Sequence, residues 1–282
     1  MKSHALLASL LATGLILSGC GTDKATEKES AEAVAPTDLQ QETDAYQQFA
    51  LEQMDQFVVE TEKFVIAVKE GRLEDAKAIY PLARMYFERS EPIAESFGDL
   101  DPRIDARLAD LEDAGQGEEE WSGYHKIEYG LWVDNTTKGY EDVADQLLKD
   151  AKELRARVET VEVGADLMIT GAVDLLNEVS TSKITGEEEI FSHTDLYDFK
   201  ANVEGAEEIF HIFEAVIKQK DTKLATDLTS KFATLNGLLA KHEDGNGGYI
   251  SYEDLTKEDT KQLADAVNQL GEPLSMMGIV ME

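Results

Sequence analysis

The sequence predicts an all-α protein whose helices pack as bundles with mostly short connections. Apolar residues recur at three- and four-residue spacings from Thr37 almost to the C-terminus. No run of alternating apolar and polar residues, bounded by turn signals, interrupts them. One internal echo points to two similar bundles packed together. "FVIAVKEGRLEDAKAIYPLARMYF" (64–87) and "FEAVIKQKDTKLATDLTSKFATLN" (213–236) share a helix end, a short basic turn and the next helix. Their identity is too low to establish an internal duplication.

The elements follow in order. "TDLQQETDAYQQFALEQMDQFVVETEKFVIAVKEG" carries Leu39, Tyr46, Phe49, Leu51, Met54, Phe57, Val58, Phe64 and Val65 at mixed three and four spacings, and Gly71 stops it. A second helix runs from Leu73 to Phe97. Pro92 cannot donate to the carbonyl of Glu88, so that helix should kink or open there. Asp101-Pro102 reads as a helix start, with Asp101 as N-cap and proline at the first helical position. Further helices are expected at 118–133, 139–180, 195–219, 222–243 and 256–270.

Ahead of the helices stands an address. Lys2 provides a short positive region, and Ala5 to Leu17 form an apolar run too short to span a bilayer as a stable helix. "LSGC" at 17–20 places small residues before the only cysteine, the pattern of a lipobox in which Cys20 carries a diacylglycerol. An ordinary secretory signal with a chance cysteine is the plainer alternative. Residues 1–19 are thus expected to be cleaved. The polar stretch 20–36, ending at Pro36, reads as a lipidated tether spanning roughly 20–25 Å as a coil. The helical region 37–282 would then sit at the cell membrane on the exported side. No cysteine remains for disulfides, and the chain is long enough to bury a large core without them.

Twenty-six basic against 58 acidic residues leave a formal charge of −32. That surface repels nucleic acid and other polyanions, and no basic patch with interleaved aromatics offsets it. Cations are favoured, although acidity alone equally serves solubility.

His-x-x-Glu occurs twice. His211 and Glu214 lie opposite the apolar stripe Ile209, Ile212, Phe213, Val216 and Ile217, beside Glu207 and Lys218, and read as a solvated row. His125 and Glu128 share a helical face with Trp121 and Trp132, the only two tryptophans, and Tyr124, Ile127 and Leu131 widen the apolar side. A buried polar pair needs compensation. Residues three apart on a helix can bring an imidazole nitrogen and a carboxylate to one ion, as helical bundles do with acids from facing helices. A core hydrogen-bonded pair without an ion is the plainer alternative. The richest source of facing acids is 83–105. Glu88 and Glu91 are three apart there, and Asp99 and Asp101 follow; Arg84 or Arg89 would otherwise pair with Glu88. Such a hard, anionic donor set suits iron, manganese or zinc rather than copper(I).

"DGNGGYISYEDL" (244–255) lacks side-chain ligands at two EF-hand positions and reads as a glycine-rich turn. No nucleophile elbow, Walker-type loop or H-E-x-x-H is present, because Leu131 and Trp132 stand where a zinc peptidase would need its second histidine.

"ARMYFERSEPIAESFGDLDPRIDAR", "GYHKIEYGLW", "DLYDFKANVEGAEEIF" and "GGYISYEDLTKEDTKQLADAVNQLGEPLS" resemble, in order, the imelysin-like iron-uptake lipoproteins of the EfeO/EfeM type, over essentially residues 37–282. The resemblance implies two four-helix bundles and an extracytoplasmic metal-binding role. In that role iron passes to a membrane permease alongside a haem-peroxidase-like partner. The family's His-x-x-Glu motif falls on His125 and Glu128, and its Glu-Pro segment on Glu91-Pro92. Longer relatives carry a cupredoxin-like domain; here only the tether precedes the helices, so copper-assisted oxidation of iron within this chain is not expected. The family also carries an old peptidase label, and some relatives are described as binding acidic polysaccharide, which the charge disfavours unless metal bridges it.

The leading expectation is a lipid-anchored iron-binding protein, not an enzyme. His125, Glu128 and Glu91 are its expected ligands, Glu88 and Asp101 its helpers, and zinc or manganese its competing ions. A metallopeptidase and a polysaccharide-binding surface module are the rivals.

Overall fold

The structure, a computed structural model, describes residues 38–281. The expected signal segment 1–19, Cys20 and the tether 20–36 lie outside the described residues. Those residues belong to one compact unit, Thr37–Glu282.

Eleven α-helices and no strand occur among the described residues: α1 (Gln40–Lys69), α2 (Leu73–Glu88), α3 (Glu91–Ala94), α4 (Asp101–Asp105), α5 (Leu108–Asp113), α6 (Gly123–Trp132), α7 (Glu141–Val158), α8 (Ala165–Thr181), α9 (Asp195–Lys220), α10 (Thr222–Leu239) and α11 (Lys257–Met281). The first bundle packs α1 against α2 and α7, with α6 closing it. The second packs α8 against α11 and α9, and α10 between α9 and α11. The expected pair of four-helix bundles is therefore present. Both halves of the internal echo are helical hairpins, α1–α2 in one bundle and α9–α10 in the other.

Periodicity explains the packing. Along α1 the buried side chains include Tyr46, Ala50, Met54, Phe57, Thr61, Phe64, Val65 and Val68, a stripe at three- and four-residue steps. Gly71, at φ +76°, turns the chain out of α1. The bundles meet where α2 packs on α9 and α3 on α8. That junction needs close backbone approach: a Cβ on Gly205 of α9 would stand 2.4 Å from the carbonyl oxygen of Arg89.

Several boundaries differ from expectation. The helix expected over Leu73–Phe97 opens at Arg89-Ser90, so that Pro92 sits near the start of α3 rather than inside a helix. Asp101 is the first residue of α4, with Leu100 at the N-cap position and no side-chain capping bond. The short helix α5 was not expected. The segment 139–180 is two helices, because the chain leaves the first bundle at 159–164 and enters the second at α8. The helix expected to end at 270 continues to Met281 across Pro273, since Leu270, Leu274 and Met277 keep its stripe buried.

The tryptophan stripe is also corrected. Trp121 and Ser122 are extended and precede α6, which starts at Gly123 with φ +81°. A Cβ there would lie 2.2 Å from the carbonyl oxygen of Ile104, so a side chain is excluded on two counts. No helix among the described residues is long and apolar enough to cross a membrane.

Candidate metal centre

His125 lies in the first turn of α6, at the junction of the two bundles, with 1% of its surface exposed. Its Nδ1 stands 3.1 Å from Glu128 Oε2 and 3.5 Å from the Tyr80 hydroxyl. The other oxygen of Glu128 accepts from the backbone N–H groups of Phe191 (3.0 Å) and Ser192 (2.7 Å). Those two donors belong to the segment joining α8 to α9, so the second bundle anchors the carboxylate that orients the imidazole of the first. A proton on Nδ1 satisfies Glu128 and leaves the Nε2 lone pair free.

Nε2 is buried and has no hydrogen-bond partner. An orphaned buried acceptor costs about 1–3 kcal/mol. It faces Asp105 Oδ1 at 3.8 Å, from the end of α4, and Glu188 Oε1 at 4.0 Å. The three donor atoms lie within 4.8 Å of one another. Ligand bonds of about 2.0–2.2 Å require donors about 3–3.5 Å apart, so a small closure brings this set onto one ion. A second group, His125 with Glu128 and Glu189, also clusters. There the imidazole offers Nδ1, already engaged with Glu128, whereas Asp105 and Glu188 face the unpartnered Nε2. Arg84 pairs with an acid of each group, Glu189 in the second and Asp105 in the first.

Charge around the histidine is organised by two buried cations. Arg84, fully buried, pairs with Glu88 (2.8 Å), Glu189 (2.6 Å), Asp198 (3.2 Å) and Asp105. Lys183 Nζ lies 3.0 Å from Glu88 and 3.2 Å from both oxygens of Glu91, and Asn202 donates to the same two carboxylates. Burial lowers the His125 pKa to about 4, with Arg84 adding to it against Asp105 and Glu188, so the imidazole is neutral at pH 7. Burial raises Glu128 to about 7 despite its backbone donors. It also raises Glu91, Glu189 and Asp198.

Of the residues expected as ligands, His125 and Glu128 do come together. Glu88 and Glu91 lie in a neighbouring layer, held by Lys183, Asn202 and Arg84, and neither belongs to a group centred on His125. Asp101 lines a cleft of about 300 Å³ with Glu91, Asp105, Arg107 and Glu188. Asp105 and Glu188 were not singled out from sequence. Asp105 closes the acid-rich segment 83–105. Glu188 lies in the acidic run "EEE" at 187–189, which reads as solvated surface; the apolar Ile190-Phe191 after it was the available signal.

Trp121 donates from Nε1 to the Ala106 carbonyl (2.8 Å), and Trp132 packs edge-on against Tyr80 (5.3 Å). Trp121 walls a cavity of about 420 Å³ that reaches His125 and Glu128. His211 is half exposed, 3.8 Å from Glu207, and Glu214 pairs with Lys218, which matches the solvated row expected there. Asp244 Oδ1 accepts from the amides of Asn246 and Gly248, a turn within the glycine-rich segment.

A neutral imidazole nitrogen and two carboxylates form a hard donor set for a di- or trivalent cation. The sequence model of the imelysin family, which carries the designation Peptidase M75, matches residues 42–277. A protein of Staphylococcus haemolyticus named Efem/EfeO family lipoprotein is 52% identical over 285 residues, 97% of this chain and 98% of its own length. One of the same name from Staphylococcus aureus (strain NCTC 8325 / PS 47) is 56% identical over 249 residues, 87% of this chain and 86% of its own. The matched family model and these relatives place this chain in the imelysin family, among the EfeM/EfeO lipoproteins.

Proposed function

We propose that this protein is the iron-binding component of an iron uptake system, anchored by lipid on Cys20 at the exported face of the cell membrane. Iron is its cargo. His125 Nε2, Asp105 and Glu188 hold the ion, and Glu128 holds His125 in the tautomer that can bind it. Glu88 and Glu91 act one layer away, as counter-charges to Lys183 and Arg84. Asp101 lines the acidic cleft through which a cation reaches the centre. From there the ion passes to a membrane permease working with a haem-peroxidase-like partner. The carrying observation is the buried, unpartnered Nε2 facing two carboxylates. The names of the relatives supply the uptake context.

The test is calorimetry on the metal-stripped full-length protein in detergent, titrated with Fe³⁺, anaerobic Fe²⁺, Zn²⁺ and Mn²⁺. Tight iron binding that His125→Ala abolishes, with far-UV helicity intact, is expected. Unchanged affinity in that variant would sink the assignment. The family's peptidase designation makes proteolysis the rival, and chelator-sensitive cleavage of a peptide library by the native protein but not by His125→Ala would favour it.

A further inference from the structure

Lys183 is 3% exposed and sits on the short turn that follows α8. Its ammonium is surrounded by carboxylates: Glu88 Oε2 at 3.0 Å, Glu91 at 3.2 Å and Glu188 Oε1 at 3.7 Å. Asn202 bridges Glu88 and Glu91 on the same side, at 2.9 and 2.8 Å. A lysine buried this deeply is costly unless it is paired, and here three acids compensate one charge.

Its position relative to the metal centre is informative. Glu188 Oε1 faces both His125 Nε2, at 4.0 Å, and Lys183 Nζ, at 3.7 Å. One carboxylate oxygen is therefore within 4.0 Å of both the proposed iron ligand and the ammonium, with Arg84 Nη2 3.9 Å from it as well. In two-ion sites a carboxylate commonly lies between ions about 3.5–4 Å apart, and bundle proteins build such pairs from glutamates on facing helices. Glu88, Glu91 and Glu188 supply the oxygens that the second ion of such a pair would take. The lysine stands where that ion would stand.

We propose that Lys183 is a built-in cation occupying the second position of a carboxylate-bridged pair, so that the centre takes one metal ion per chain. This rests on the His125 centre proposed above. A one-ion centre binds and releases its cargo without the paired-ion chemistry that hydrolases and iron oxidases use. The helical scaffold of this chain is in this way committed to carrying one ion.

The metal-stripped full-length protein in detergent is equilibrated with Mn²⁺, and bound ions are counted by elemental analysis after dialysis. Electron paramagnetic resonance then reports whether they are coupled. The native chain should hold one Mn²⁺ at its centre with an uncoupled spectrum. Lys183→Met should gain one further ion and show the exchange-coupled spectrum of an adjacent pair, which ions on surface carboxylates do not give. A coupled pair in the native protein would overturn the proposal. So would a folded Lys183→Met that keeps its first ion and gains no second. Should Lys183→Met fail to fold without metal, recovery of helicity on adding Mn²⁺ supports the proposal, and failure at every Mn²⁺ concentration overturns it. A native chain whose Mn²⁺ binding does not depend on His125 would instead overturn the centre itself, a separate result.

Discussion

Glu128→Gln separates orienting the histidine from binding the ion. Glu128 Oε1 accepts two backbone N–H groups, so a glutamine must place its carbonyl oxygen there; an amide NH₂ would oppose two donors. Its NH₂ then faces His125 Nδ1, where Glu128 Oε2 stands at 3.1 Å. An NH₂ only donates, so Nδ1 becomes the acceptor and the imidazole proton moves to Nε2, the atom the ion needs. Binding metal would require either two donors facing each other or an amide turned against the two N–H groups. Either mis-pairing costs about 1–3 kcal/mol, in line with the roughly 10–100-fold affinity losses that follow from removing such outer partners. Calorimetric titration of metal-stripped protein should show that loss, with far-UV helicity unchanged and His125→Ala weaker still. Affinity within twofold of native would mean that the tautomer does not matter. A loss as severe as that of His125→Ala would mean that Glu128 bonds the ion directly, and the orienting role would be refuted.

Two further outcomes are expected. Lys183 and Arg84 outweigh the effect of burial and hold Glu88 at about 2, below its ordinary value of 4.5. A depressed carboxyl pKa gives stability that is present above 4.5 and lost as the pH falls towards 2. Urea unfolding of the metal-stripped protein between pH 5 and 3 should therefore carry a destabilising slope from Glu88 as the pH falls, set against the raised Glu91, Glu189 and Asp198, which contribute with the opposite sign. Glu88→Gln should remove up to about 1.4 kcal/mol per pH unit of that slope; an identical slope in both proteins would contradict the pairing. Gly205→Ala drives a methyl against the Arg89 carbonyl oxygen, 2.4 Å away, and should cost about 1–3 kcal/mol, read as a fall of several degrees in Tm. An unchanged melting curve would show that α9 and the α2–α3 break can part without loss.

Much of the architecture was legible because helical periodicity is a local property. The stripes of α1 and α9, the stop at Gly71, the opening near Pro92 and the solvated face around His211 each depend on residues a few positions apart. The His125–Glu128 pair was legible for the same reason, since i, i+3 residues meet on any helix. Where local signals misled, a long-range contact had intervened. The 139–180 run keeps its period across a change of bundle. Trp121 leaves the helical stripe because Gly123 must pass the Ile104 carbonyl.

The acids that complete the centre were beyond the reach of spacing. Glu88 and Glu91 carry the right chemistry at the right interval, but Lys183 arrives beside them from the end of α8, 95 and 92 positions away in the chain. Asp105 and Glu188 reach His125 only because the bundles close on one another, bringing α4 and the segment before α9 to the same imidazole. The sequence alone thus decided most of the helices and the His–Glu pair, both properties of neighbouring residues. Which carboxylates stay wholly with internal cations and which also face the free nitrogen is a balance of buried charges, and that balance exists only once the two bundles have met.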